Sequence, residues 1–417
     1  MSPGPAAPLI SRVRIANYRS IASADVALSP LTVLVGPNAA GKTNFLDAIR
    51  FVTDAVTTSP AEAVAKRGGM AALVHRNPQH AVGVCSFRID LELAEPGETG
   101  GASARYAVEM SHAETGRLTV PYEVCRGAGS PSWAALSFKR TTDNDGVTHI
   151  EGPIELPDLE PDQLALSVLG RMMRPFSEFL GLLQAPRFYD LNTTALRALD
   201  ETDPAVRTDT LGTSGEHLGH VLGLLDAAHP PVKATLDGYL SALVDNALSV
   251  DQKKEGRFST VSARFRTDHG ETGVTETFER ESLSEGTLRL AGVLAALFQP
   301  KALTGAVPLI AIEEPEKAIH PPRLGGLYEA LVAASRTTQV LVTTQSADLL
   351  DSGSADPAHI LAAVNEGGAT TLGPLDDTNR SLVADKAMTL SELLRAGLVR
   401  PATPAPSDDP ESPGAAT

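Results

Sequence analysis

The chain of 417 residues carries 35 Lys and Arg against 51 Asp and Glu, a net charge of −16, with 42% apolar and 4% aromatic residues. Such a content suits a folded protein of two or three lobes at about 150 residues each. It excludes a wholly disordered chain, and one held on nucleic acid or anionic lipid by bulk attraction. Cys85 and Cys125 stand outside any CxxC spacing, which reads as two buried thiols in a reducing cytoplasm and not as a disulfide framework or zinc site. The Met1–Pro5 start has no cationic stretch leading into an apolar one, and the longest clean apolar run, Leu290 to Phe298, is about half a membrane span.

In chain order, residues 1–9 are punctuated by Pro3, Pro5 and Pro8 and read as a disordered start. Leu31 to Val35 is a short β-rich run ending at glycine, and a helical pattern from Asn44 to Thr53 follows at once. From about His80 to Ile150 four alternating stretches separated by Gly, Pro, Asn and Asp predict an antiparallel β-subdomain: VGVCSFRIDLEL, RYAVEMS, LTVPYEVC and WAALSFKR. Residues Asp162 to Ala247 carry three- and four-residue apolar spacing and predict helices. Two strands, RFSTVSARFRT and GVTETFER, flank the loop at Asp268 to Gly273. An α/β pattern then resumes, with a helix from Glu285, a strand Val307 to Ile312, a helix from Arg323 and a strand Val340 to Thr343. The resulting division is 10–160, an N-terminal half with its β-subdomain; 161–280, a helical lobe and hairpin insertion; and 281–400, a C-terminal half. Residues 401–417, rich in proline and acid, form a disordered tail.

Three segments carry chemistry. Gly36-Pro37-Asn38-Ala39-Ala40-Gly41-Lys42-Thr43 satisfies GxxxxGK[ST] without a mismatch, between a strand and a helix. Its glycines let backbone N–H groups turn inward around phosphate, Lys42 neutralises the β/γ oxygens and the Thr43 hydroxyl ligates Mg²⁺; Asn38 and Asn44 flank and tune the loop. The strand Leu309–Ile312 runs into Glu313, Glu314, Pro315 and Glu316, paired carboxylates that suit a P-loop site: Glu313 for the metal shell, Glu314 for the attacking water. Third, Ser284 in Leu283-Ser284-Glu285-Gly286-Thr287-Leu288-Arg289 is a natural N-cap, and the helix start it marks offers N–H groups to an anion.

GPNAAGKT, LSEGTLR, IEEPEKAIHP and VTTQSADLLD occur in the order of the ABC-type ATPases related to RecF, SMC and OLD. The chain most resembles the stand-alone RecF-like AAA family ATPases of bacteria. Ile15 to Ser20 is similar to that family's opening segment, RFYDLNTTALR at Arg187 to Arg197 to its central stretch, and SELLRAG to its C-terminal element. The resemblance implies an α/β P-loop fold: an ABC-ATPase head with a mixed β-sheet and helices, an inserted antiparallel β-subdomain and a helical lobe. It implies ATP and Mg²⁺ as ligands and a head-to-tail homodimer in the ATP state. Ser284 and Gly286 of one head would close over the γ-phosphate held by Lys42 of the other, and Arg289 would support the signature helix or the phosphate.

Where the family shows TTHS, the chain has Thr343-Thr344-Gln345-Ser346. Glutamine still donates a hydrogen bond, but it lacks the charge of a histidine, so Gln345 is expected to be a weakened sensor and turnover slow. His320 matches the family's HP, and Asp190 and Arg197 are expected to serve the fold. No long coiled coil appears, and the short stretch beyond Gln345 has no DxD, so no nuclease of its own is expected. The expected function is an ATPase switch whose nucleotide state is passed to DNA or to a protein effector such as a separately encoded nuclease, in genome maintenance or antiphage defence, with no membrane partner. Arg12, Arg14, Arg19, Lys253, Lys254 and Arg257 are the candidate DNA-facing groups. Two alternatives stand beside it. A transporter's nucleotide-binding subunit is disfavoured by the large insertion between Thr43 and Ser284, and an ATP-binding scaffold with negligible hydrolysis is suggested by Gln345.

Overall fold

The computed structural model describes residues 9–76, 86–95, 103–112, 116–129, 131–143, 147–154, 158–201, 209–267 and 274–402. The expected disordered start and tail lie, apart from Leu9, Pro401 and Ala402, outside the described residues, as does Cys85. The strands in chain order are β1 (Leu9–Tyr18), β2 (Ile21–Ala27), β3 (Leu31–Val35), β4 (Ser86–Ala94), β5 (Ser103–His112), β6 (Leu118–Ala128), β7 (Ser137–Thr142), β8 (Thr148–Glu151), β9 (Arg187–Tyr189), β10 (Asp200–Glu201), β11 (Ala247–Glu255), β12 (Phe258–Thr267), β13 (Val274–Glu279), β14 (Leu309–Glu313), β15 (Gln339–Thr344), β16 (Ile360–Glu366) and β17 (Ala369–Pro374).

The central sheet has the order β17-β16-β3-β15-β14-β9, parallel except for the β16–β17 pair. Both of its faces are buried, and the alternation of side chains along a strand shows which residue serves which face. Leu34, Leu309, Ala311, Leu341 and Leu361 enter one core. Their neighbours Val33, Val35, Ile310, Ile312, Val340, Val342 and Ile360 enter the other. The first core is closed by the helix Lys42–Thr57 and by the antiparallel sheet, whose order is β2-β1-β4-β5-β6-β7-β8. The second is closed by the helices Glu285–Phe298 and Leu324–Ala334 and by the lobe helices Leu218–Ala228 and Pro230–Leu243.

The helix Glu285–Phe298 has no solvent face beyond its first turn: Thr287 through Phe298 are all buried, as its unbroken apolar sequence requires. The two sheets are stitched at Gln339, whose side chain accepts from Ile10 N and donates to Ile10 O, both at 2.9 Å. A buried backbone N–H and C=O of β1 are thereby paired by a side chain from the central sheet.

Several features differ from the pattern reading; among them, the stretch Asp162 to Ala247, expected as helices, also carries the strands β9 and β10, because each finds a pairing strand far away in sequence. The antiparallel sheet begins with β1 and β2, not near His80, because Leu9–Tyr18 pairs with β4 along its length. Trp133 and Ala134, expected in a strand, lie in the helical turn Pro131–Ala134 that precedes β7. Gly127 explains the tight fit there, since a Cβ at that position would lie 2.1 Å from the Trp133 carbonyl oxygen.

Candidate functional site

The phosphate loop leaves β3, which is buried on both faces, and enters the helix Lys42–Thr57. Gly41 adopts φ +94°, and a Cβ there would lie 2.2 Å from Thr370 Oγ1, so both conformation and space demand glycine. Thr370 Oγ1 shares a hydrogen bond of 2.7 Å with Ser20 Oγ, which in turn accepts from Asn44 Nδ2 at 2.7 Å. Asn44 therefore braces the loop from below through the β1–β2 turn and β17. Asn38 and Ala39 are exposed at its tip, with Ala39 at φ +61°.

The Lys42 side chain is folded into its own loop, where Nζ donates to the carbonyl oxygens of Gly36 and Pro37 at 2.8 and 2.9 Å. Burial lowers its pKa, while Glu314, Glu316 and Glu313 pull the other way. A cation partly stripped of water and ringed by carboxylates is poised for an anion that can replace its carbonyl partners.

Thr43 and Glu313 lie 270 residues apart in sequence, and Thr43 Oγ1 donates to Glu313 Oε2 at 2.7 Å. These are hard oxygen donors at the mouth of a phosphate loop, the set that Mg²⁺ takes together with phosphate and water, so the residues fit that ion. Glu314, the next residue, sits at φ +46°, a left-handed conformation that a non-glycine residue holds only when its surroundings fix it. They do so here: Glu314 N donates to Thr343 O at 3.0 Å, and Gln345 Nε2 donates to Glu314 Oε1 at 3.2 Å. Two neighbouring carboxylates are thus turned in different directions, one to Thr43 and one to Gln345.

Ser284 caps its helix, accepting from Thr287 N at 3.1 Å, and remains exposed. Gly286 lies flush against the loop that follows Glu316, where a Cβ would stand 2.2 Å from the Ala318 carbonyl oxygen. Ser284, Gly286, Ala318 and His320 border a cavity of about 430 Å³. Thr43 and Glu313 border a different one of about 170 Å³. Arg289 is buried, with its guanidinium donating to the Leu191 carbonyl, a position that supports the signature helix and not a phosphate. Arg197 donates to the Leu283 carbonyl at 2.6 Å and braces the same helix start.

Asp190, read from sequence as a fold residue, is placed beside Thr43 and Glu313. β9 runs parallel to β14 with Tyr189 opposite Ile312, so Asp190 leaves the strand level with Glu313, is exposed, and lines the cavity that holds Thr43. Its signal in the sequence was an acid ending a short β-run, too brief to separate from a loop. The candidate DNA-facing groups are largely committed to ion pairs. Arg12 pairs with Asp25, Arg14 with Glu92, Arg19 with Asp47, Lys253 with Glu279 and Arg257 with Glu201, at 2.5 to 3.2 Å.

With this geometry, comparison with known proteins is informative. Residues 170–351 match the family described as "AAA domain, putative AbiEii toxin, Type IV TA system", and residues 9–84 match the family described as "AAA ATPase domain". The first span contains the signature, the acid-tipped strand and the switch segment; the second contains the phosphate loop. No curated protein matches the chain. Among solved structures, an SMC head bound to the C-terminal winged-helix domain of ScpA is similar at 13% identity and a TM-score of 0.54, over 91% of this chain and all of that one. The SMC head domain of Thermotoga maritima matches at 14% identity and a TM-score of 0.45, over 89% and 99% of the two chains. An SMC head of Pyrococcus furiosus bound to the C-terminal domain of ScpA matches at 12% identity and 0.47, over 91% and 99%. Among the described residues no helix is long and apolar enough to cross a membrane.

Proposed function

We propose that the chain is an ABC-type ATPase of the RecF and SMC-like kind, a switch whose heads pair head-to-tail around Mg-ATP and whose output goes to a protein effector. The observation that carries the reading is the separation of its parts. Thr43 is bonded to Glu313 and Gln345 to the adjacent Glu314, with Lys42 next to Thr43 in the phosphate loop, whereas Ser284 is exposed beside another cavity. A signature serine outside its own chain's phosphate site needs a second copy to serve it.

In that complex Lys42 exchanges the Gly36 and Pro37 carbonyls for β/γ-phosphate oxygens. Thr43 and Glu313 would hold Mg²⁺, which when bound neutralises phosphate charge. Glu314 accepts a proton from the water as its oxygen bonds to the γ-phosphorus; the bond from that phosphorus to the β–γ bridging oxygen breaks, and ADP leaves with the electron pair. Gln345 keeps the Glu314 carboxylate in place through its amide. Ser284 and Gly286 of the partner head bring hydroxyl and backbone N–H to the γ-phosphate, so product formation removes contacts that joined the heads. The ion pairing of the candidate basic groups favours a protein recipient over DNA. A head of this fold in the SMC complex is likewise engaged by a winged-helix domain.

The test is light scattering after size exclusion, with and without Mg-ATP. Lys42→Ala should lose ATP binding and stay monomeric. Glu314→Gln should bind ATP and accumulate as a dimer, since hydrolysis no longer separates the heads. A monomeric Glu314→Gln in saturating Mg-ATP would defeat the head-to-tail reading.

A further inference from the structure

Glu316 is used by neither the phosphate loop nor the metal pair, yet it is among the most buried acids of the described residues at 8% exposed. It follows Glu314 by two residues, and its side chain turns away from solvent toward the end of β15. There Oε1 accepts from the Thr344 hydroxyl. The Thr344 hydroxyl in turn accepts from Ser346 N at 2.9 Å. Thr344 directly, and Ser346 through the Thr344 hydroxyl, are therefore tied to one carboxylate on the loop after β14, with Gln345 held between them. The side chain of Gln345 returns to Glu314, closing a ring from Glu314 along the chain to Glu316, across to Thr344 and through Gln345 back to Glu314.

The arrangement is not one that stability alone would keep. Glu316 Oε2 is buried with no hydrogen-bond partner, and burial raises the carboxyl pKa, with the neighbouring Glu314 charge adding to the effect. A buried oxygen left unpaired costs stability that an apolar side chain would avoid. The acid also contributes to the field on Lys42.

We propose that Glu316 is a positioning residue for ATP hydrolysis, holding Thr344 and Gln345 so that the Gln345 amide fixes the Glu314 carboxylate. This rests on the reading of Glu314 as the water-polarising group. Because the switch glutamine lacks a charge of its own, its alignment depends on the segment that carries it, and Glu316 supplies that alignment from the opposite strand. In Glu316→Gln the negative charge that strengthens the hydrogen bond from Thr344 is lost, and the amide places an NH₂ donor beside the switch segment.

A double-mutant cycle on the full chain tests it, with kcat and KM for ATP measured for Glu316→Gln, Gln345→Ala and the double variant. Each single change should lower kcat on the order of tenfold, the worth of one hydrogen bond to a charged group, with KM held. The double variant should be no slower than Gln345→Ala, because Glu316 acts through that residue. Multiplying effects in the double variant, or an unchanged kcat in Glu316→Gln, would overturn the proposal. Thr344→Val removes the donated hydroxyl from the other side and should repeat the kcat loss; it carries the same cycle if Glu316→Gln does not fold. Glu314→Gln, assayed in parallel, separates the two readings. If it abolishes turnover while the cycle multiplies, only the role of Glu316 falls. If it leaves turnover intact, the water-polarising role falls and this inference with it.

Discussion

The contact of the signature helix with the loop after Glu316 turns on a single hydrogen atom, that of Gly286. In Gly286→Ala the new Cβ would stand 2.2 Å from the Ala318 carbonyl oxygen, where a carbon-to-oxygen contact settles at about 3.3 Å. The neighbour is backbone, held at φ +67° in Ala318, so the loop must retreat by about 1 Å. Overpacking of this kind costs about 1–3 kcal/mol. The opposing gain, alanine over glycine in a helix, is at most about 1 kcal/mol and smaller in a first turn. The variant should therefore lose about 1–2 kcal/mol in urea unfolding. Its kcat should fall as well, since the displaced loop joins Glu316 to His320. Gly238→Ala is the control: it lies in the helix Pro230–Leu243 with nothing within 4 Å of its Cβ site, and it should gain about 0.5–1 kcal/mol. Equal stabilisation by both substitutions would refute the reasoning, because propensity would then have outweighed the contact.

Two further predictions follow from the site. Burial lowers the Lys42 pKa in the free protein, and phosphate oxygens favour its charged form, so the bound state holds more protons; ATP binding should take up protons and weaken as pH rises through the lowered value. Calorimetry in buffers of different ionisation enthalpy reads that uptake directly, and proton release would contradict it. Asp190→Ala should raise the Mg²⁺ concentration needed for turnover by about tenfold while leaving the KM for ATP near that of the wild type, as expected of a group beside the residues proposed to hold the ion. An unchanged Mg²⁺ titration would return Asp190 to the fold.

The sequence alone determined the elements whose signal is local. The phosphate loop, its helix, the acid-tipped strand and the apolar helix after Ser284 were legible because each is set by neighbours within one or two turns: glycines that permit the turn, a run of β-branched residues, a capping hydroxyl. The tertiary structure decided everything that depends on which strands become neighbours. The pairing of β1 with β4 moved the start of the antiparallel sheet to Leu9, and the parallel step from β14 to β9 carried Asp190 to Thr43 and Glu313. The burial of Arg289 against Leu191 and the closure of Glu314, Glu316, Thr344 and Gln345 into one ring belong to the same class. A hydrogen bond between residues about thirty positions apart leaves no periodic trace in a chain; it exists only once β14 and β15 lie side by side.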